Sequence, residues 1–196
     1  MTKKRHSGKA IEHLKRTVQE SSCDALAYYY FTHSTEDLGS ATSCLRSLIG
    51  QICELESNLP VVAQKLFKEY CGESEPPDIF ALIDVLFSLV RRLNHAFIII
   101  DALDEAIDTR QMLEAVCILA GKQLDNLHLL VSSRIQMVIN ERLEPLATSV
   151  NIAGGFPPER SFYIQRRLQE DPKMRHWEDP IKREIEVRLV RKADSR

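Results

Sequence analysis

Residues 97–105 read Phe-Ile-Ile-Ile-Asp-Ala-Leu-Asp-Glu. The four apolar residues, three of them β-branched, suit a strand covered on both faces, as strands of parallel sheets are. Asp101 ends the run. In open α/β sheets, ligands bind just outside the carboxyl ends of the strands. A carboxylate there can hold Mg²⁺, which in turn bridges nucleotide phosphates. Asp104 and Glu105 add two more carboxylates within one turn, and either can orient an attacking water. The same letters also fit a plainer arrangement, a buried strand running into an acid-rich helix start. There Asp104 and Glu105 would only complement the helix dipole.

Outward from this strand the chain alternates between strand and helix patterns. Residues 7–20 carry Ile11, Leu14 and Val18 on one helical face. Ala25–Thr32 is strand-like, with the aromatic run Tyr28, Tyr29, Tyr30 and Phe31 pointing alternately to its two faces. A polar loop follows over His33–Glu36. Residues 37–54 carry one apolar helical stripe of Leu38, Ala41, Leu45, Leu48, Ile49 and Ile52. Pro60 opens a helix to Tyr70, and residues 79–92 form another that is apolar nearly all round. Beyond Asp101 the pattern predicts a helix over 109–123, a strand over Leu127–Ser132, a helix over 135–143 and a short last strand over Thr148–Ile152. After the break at "AGGFPP", helices are expected over 159–169 and 179–192. Alternation of this kind predicts a parallel α/β sheet flanked by helices, with a helical appendage at the end.

Composition narrows the function classes. The 196 residues are 44% hydrophobic and 28% charged, with a net charge of −2. That balance supplies no electrostatic reason to bind nucleic acid. No apolar run approaches the roughly 18 residues of a membrane span, and no secretion signal is visible. Five scattered cysteines without a CxxC spacing point to reduced thiols in a cytoplasmic protein. None of the six histidines falls in a metal motif.

Several segments carry a family resemblance. "FIIIDALDEA" resembles the Walker B segment of NACHT-type signal-transduction NTPases, particularly the fungal NOD-like receptors with nephrocystin-like N-terminal NACHT regions. "AYYYFTHSTEDLGSATSCLRSLIGQI" resembles that group's second strand, loop and following helix. "LHLLVSSR" resembles its sensor 1 strand, and "LVRKADSR" the segment leading toward its winged-helix region. The resemblance implies a P-loop NTPase-type sheet over residues 1–152, lacking its first, P-loop strand, which the family's order would place between the Leu127 and Thr148 strands. Residues 153–196 would form a helical lid segment.

The same resemblance assigns site residues. Gly8 and Lys9 match the "GK" of a phosphate-binding loop, while Lys3 and Ala10 depart from it, at the first Gly and at the Mg²⁺-binding hydroxyl. Read locally, "SGKA" is a helix start with Ser7 as its cap. Asp101 would hold Mg²⁺, Asp104 or Glu105 would position water, and Lys9 and Arg134 would bind phosphates of ATP or GTP. Arg134 suits that task because its planar fork donates several hydrogen bonds. Ser132 and Ser133 fit helix capping. His33 and Asp37 stand where a loop can reach a nucleotide. The mixed-charge end fits a surface helix with an Ile181, Ile185 and Leu189 stripe.

The implied function is an ATP- or GTP-binding switch module of a receptor-like signalling protein. Slow Mg²⁺-dependent hydrolysis would control self-association, in the setting of fungal non-self recognition and cell death. The alternative is a degenerate, non-catalytic remnant that acts only in protein–protein interaction. No nucleic-acid or membrane partner is expected.

Overall fold

The computed structural model describes residues 3–19, 21, 23–32, 39–55, 60–70, 77–150 and 157–194. The chain divides into two compact units, Met1–Ala147 and Thr148–Arg196. The first unit begins with α1 (Lys3–Gln19), β1 (Asp24–Tyr30), α2 (Ala41–Cys53), α3 (Val61–Tyr70) and α4 (Ile79–Val90). It continues through β2 (His95–Asp101), a single 3₁₀ turn (Leu103–Glu105), α5 (Thr109–Gly121), β3 (Leu127–Val131) and α6 (Met137–Leu143). The second unit holds α7 (Pro157–Glu170) and α8 (Asp179–Asp194).

The three strands form one parallel sheet in the order β1-β2-β3. The α/β architecture is therefore the expected one. β2 lies in the middle, which is why its sequence is apolar without alternation: Ala96, Ile98, Ile99 and Ile100 are all buried. One sheet face carries Ala25, Ala27, Tyr29, Phe31, Ile98 and Ile100 into a core shared with α2, α4 and α5. Leu45, Leu48, Leu82, Leu86 and Met112 are fully buried there. α1 covers the other face of β1 and β2: Ile11 is buried, and Lys15 lies over the Tyr28 ring.

α2 starts one turn later than expected because Ser40 caps it, accepting a hydrogen bond from the Ser43 N–H (3.0 Å). Leu38 and the expected loop over 33–36 lie outside the described residues, as do His33 and Asp37. α1 starts earlier than expected, so Ser7 is not its cap but sits in the helix. The last strand is a correction. Residues 148–150 are not in a strand, and residues 151–152 lie outside the description. Val150 is exposed, so that stretch has no buried face to enforce the pattern. In the second unit, the Ser161 hydroxyl and the Gln165 amide both donate to Glu186, joining α7 to α8. Among the described residues, no helix is long and apolar enough to cross a membrane.

Candidate functional site at the carboxyl end of the sheet

Asp101 ends β2 and is fully buried. Register explains what surrounds it. Tyr30 is its partner on β1, and Val131 is the partner of Ile100, so the next residue on that side, Ser132, arrives beside Asp101. The Ser132 hydroxyl donates to Asp101 Oδ1. From the opposite side, the Ser7 hydroxyl of α1 donates to the same oxygen at 2.7 Å. Asp101 Oδ2 is buried and has no hydrogen-bond partner among the described residues. An unpartnered buried carboxylate oxygen is costly unless something cationic or protic meets it. With a second hydroxyl oxygen alongside, the donor set is the hard-oxygen type that Mg²⁺ takes. Burial and the nearby Asp101 charge also push the Tyr30 phenol above its usual range.

The chain leaves β2 through a strained corner. Ala102 has φ 59° and ψ 49°, a left-handed conformation that costs a residue with a Cβ about 1–2 kcal/mol. Ser132 holds the corner shut. Its hydroxyl accepts from the Ala102 N–H (3.1 Å), and its carbonyl accepts from the Leu103 N–H (2.9 Å). The 3₁₀ turn that follows carries Asp104 and Glu105. Both face Arg134: its Nε lies 3.2 Å from Asp104 Oδ2, its terminal nitrogen 3.9 Å from Glu105 Oε1, and its backbone N–H donates to Asp104 Oδ1 at 2.7 Å.

The fold thus gathers Asp101, Asp104, Glu105 and Arg134 at one end of β2 and β3. Gly8 and Lys9 are different. They lie within α1, on a helix that is continuous from Lys3, and Lys9 is exposed. A Cβ on Gly8 would meet nothing within 4 Å, so no close backbone approach demands a glycine there. Two residues were missed from sequence. Ser132 reads as a helix cap but holds Asp101 instead, because the next helix begins only at Met137. Aligning the ends of β2 and β3 would have found it. Ser7 left no such signal, since its partner is 94 residues away.

Searches of the curated proteins and of the solved structures found no match. A family model described as nephrocystin 3, N-terminal, matches residues 3–134. That span is about two thirds of the chain, and it runs from α1 through β3 to Arg134, taking in the whole site just described. The chain belongs to the nephrocystin 3 N-terminal family.

Proposed function

We propose that this chain is the nucleotide-dependent switch module of a NOD-like signalling protein. The reading rests on the buried, half-satisfied carboxylate of Asp101 at the carboxyl end of the central strand. Asp101 would hold Mg²⁺ with the Ser7 hydroxyl beside it, and the ion would neutralise charge on the phosphates of ATP or GTP. Glu105 or Asp104 would orient water. Arg134, 69% exposed, would meet a terminal phosphate by exchanging Asp104 for it. Slow turnover would then control self-association.

A second reading, a non-catalytic interaction module, is favoured by one observation. The Gly8-Lys9 segment is helical, with Lys9 turned to solvent. A phosphate cradle needs consecutive backbone N–H groups free of helical pairing.

One titration separates the two. Mg-ATP and Mg-GTP are titrated into the chain and into Asp101→Ala, each checked by thermal melting. Micromolar, Mg²⁺-dependent binding that disappears in a still-folded Asp101→Ala supports the switch. Absence of binding by a cooperatively folded parent chain removes it and leaves the interaction module.

A further inference from the structure

The amino end of the sheet, opposite the candidate site, carries a pair of histidines to which the switch reading gives no task. His95 opens β2 and His128 lies on β3, beside Phe97 in the register. His95 and His128 are both exposed, and they face one another across the two strands, with His95 Nδ1 3.1 Å from His128 Nε2. Phe97 stacks on His128 with ring centroids 4.7 Å apart, which limits how that imidazole can turn. Asp24 is the residue opposite His95 on β1, and its Oδ1 is buried without a hydrogen-bond partner among the described residues.

We propose that His95 and His128 form a two-point chelate for a divalent transition-metal ion of the Zn²⁺, Ni²⁺ or Cu²⁺ type. Imidazole nitrogen is the donor these ions favour. The spacing fits the chelate. With metal–nitrogen bonds of about 2.0–2.1 Å, nitrogens 3.1 Å apart subtend an angle of about 95–102° at the metal. That falls between the right angle of square or octahedral sites and the tetrahedral angle. The ring centroids, now 5.3 Å apart, would close to about 4.9 Å when both nitrogens turn to a common ion, a small rotation of exposed rings.

In the free protein one ring nitrogen donates to the other. Metal binding moves that proton to the ring's outer nitrogen, which frees the inner nitrogen for the ion. No group of three or more His, Cys, Asp and Glu able to hold a metal occurs among the described residues. Water therefore completes the shell. Because the two ligands sit on different strands, the ion ties the edge strand β3 to β2. Bound metal therefore raises the melting temperature.

The test is calorimetric titration of Ni²⁺ and Zn²⁺ into the full chain at neutral pH, with melting curves in parallel. One ion per chain and a rise of several degrees in Tm are expected. His95→Ala and His128→Ala should each weaken binding by about tenfold or more and abolish the rise. His176→Ala, at another exposed histidine, should change neither. Melts without metal confirm that the variants fold, and His95→Asn with His128→Asn repeat the test with polar replacements. Cu²⁺ resonance spectra should show two equatorial nitrogens in the parent and one in each single variant. A parent chain that binds no metal, or one whose binding survives either single substitution, overturns the proposal.

Discussion

The two edges of the sheet are finished differently. On β1 the outward-facing groups belong to the even-numbered residues, because Phe31 and Cys23 bond inward to β2. α2 caps the middle of that edge with one side chain. Gln51 Oε1 accepts from the Tyr28 N–H at 3.0 Å, and its Nε2 donates to the Tyr28 carbonyl at 2.9 Å. The amide imitates one rung of a missing strand. On β3 the inward bonds of Asn126 and Ser132 leave the backbone groups of Leu129 and Val131 facing outward, and nothing among the described residues pairs with them. The stretch Leu127–Ser133 has neither Lys nor Pro, the usual edge guards. Leu130 is 43% exposed there, and Ile135, Met137 and Val138 just beyond it are exposed as well. A single well-placed amide thus caps one rung of one edge and not of the other, and the strands' own sequences do not say which.

The largest expected effect breaks the paired side of β3. Leu130→Pro removes an N–H that the ladder directs to Ile98, stranding a buried carbonyl at a cost of about 1–3 kcal/mol before any clash is counted. Urea unfolding should show a large drop in midpoint; a drop no greater than that of Leu130→Ala would mean that β3 is not paired as described. Next is the guarded edge. Gln51→Ala leaves both polar groups of half-buried Tyr28 without their partner, for a loss in the range of about 1–3 kcal/mol. Gln51→Glu keeps the acceptor, loses the donor and should fall between the two. Equal stability of all three proteins would remove the edge-capping role.

A third prediction uses pH to compare the layers behind the two edges. Cys44, on α2 against β1, is buried, and burial pushes its thiol far above the unfolded value of 9.0. A raised folded pKa gives a contribution that is intact below 9.0 and is lost as pH rises past it, by about 1.4 kcal/mol per pH unit. Stability should therefore fall between pH 9 and 10, and Cys44→Ala should flatten that fall. On the β3 side Cys117 is only partly buried. A thiol reagent should label Cys117 in the native protein and reach Cys44 only on unfolding. The smallest effect belongs to Leu130→Lys. It keeps the ladder N–H and places a charge on the open edge, so stability should change by about 0.5 kcal/mol or less. Light scattering should meanwhile show less aggregation than in the parent. Unchanged scattering would indicate that the open edge is not the sticky one.

Much of this was legible before folding. The apolar run before Asp101 reads as a central strand because cover on both faces removes alternation, and the stripe from Ala41 to Ile52 reads as a buried helix face because one-sided burial imposes the helical period. Boundaries were less legible where a single cap decides them, as Ser40 does for α2. The expected strand at Thr148–Ile152 failed over its described part because short β-prone runs form strands only when a neighbour offers hydrogen bonds and cover. Asp101, Asp104 and Glu105 stood out from their spacing, since they follow one strand within a turn. Arg134 was named only through the family resemblance of the "LHLLVSSR" segment.

By itself, then, the sequence determined the α/β alternation, the central place of the Asp101 strand and the cluster of acids at its end. These depend on neighbours along the chain. Only the tertiary structure decided that Ser7 and Ser132 share one oxygen of Asp101, that Arg134 closes onto Asp104, that His95 meets His128, and that Gln51 caps Tyr28 on one edge while, among the described residues, nothing pairs the outward groups of Leu129 and Val131 on the other. Each of those pairs residues far apart in sequence, and their meeting is set by strand register and helix placement, which no local pattern encodes.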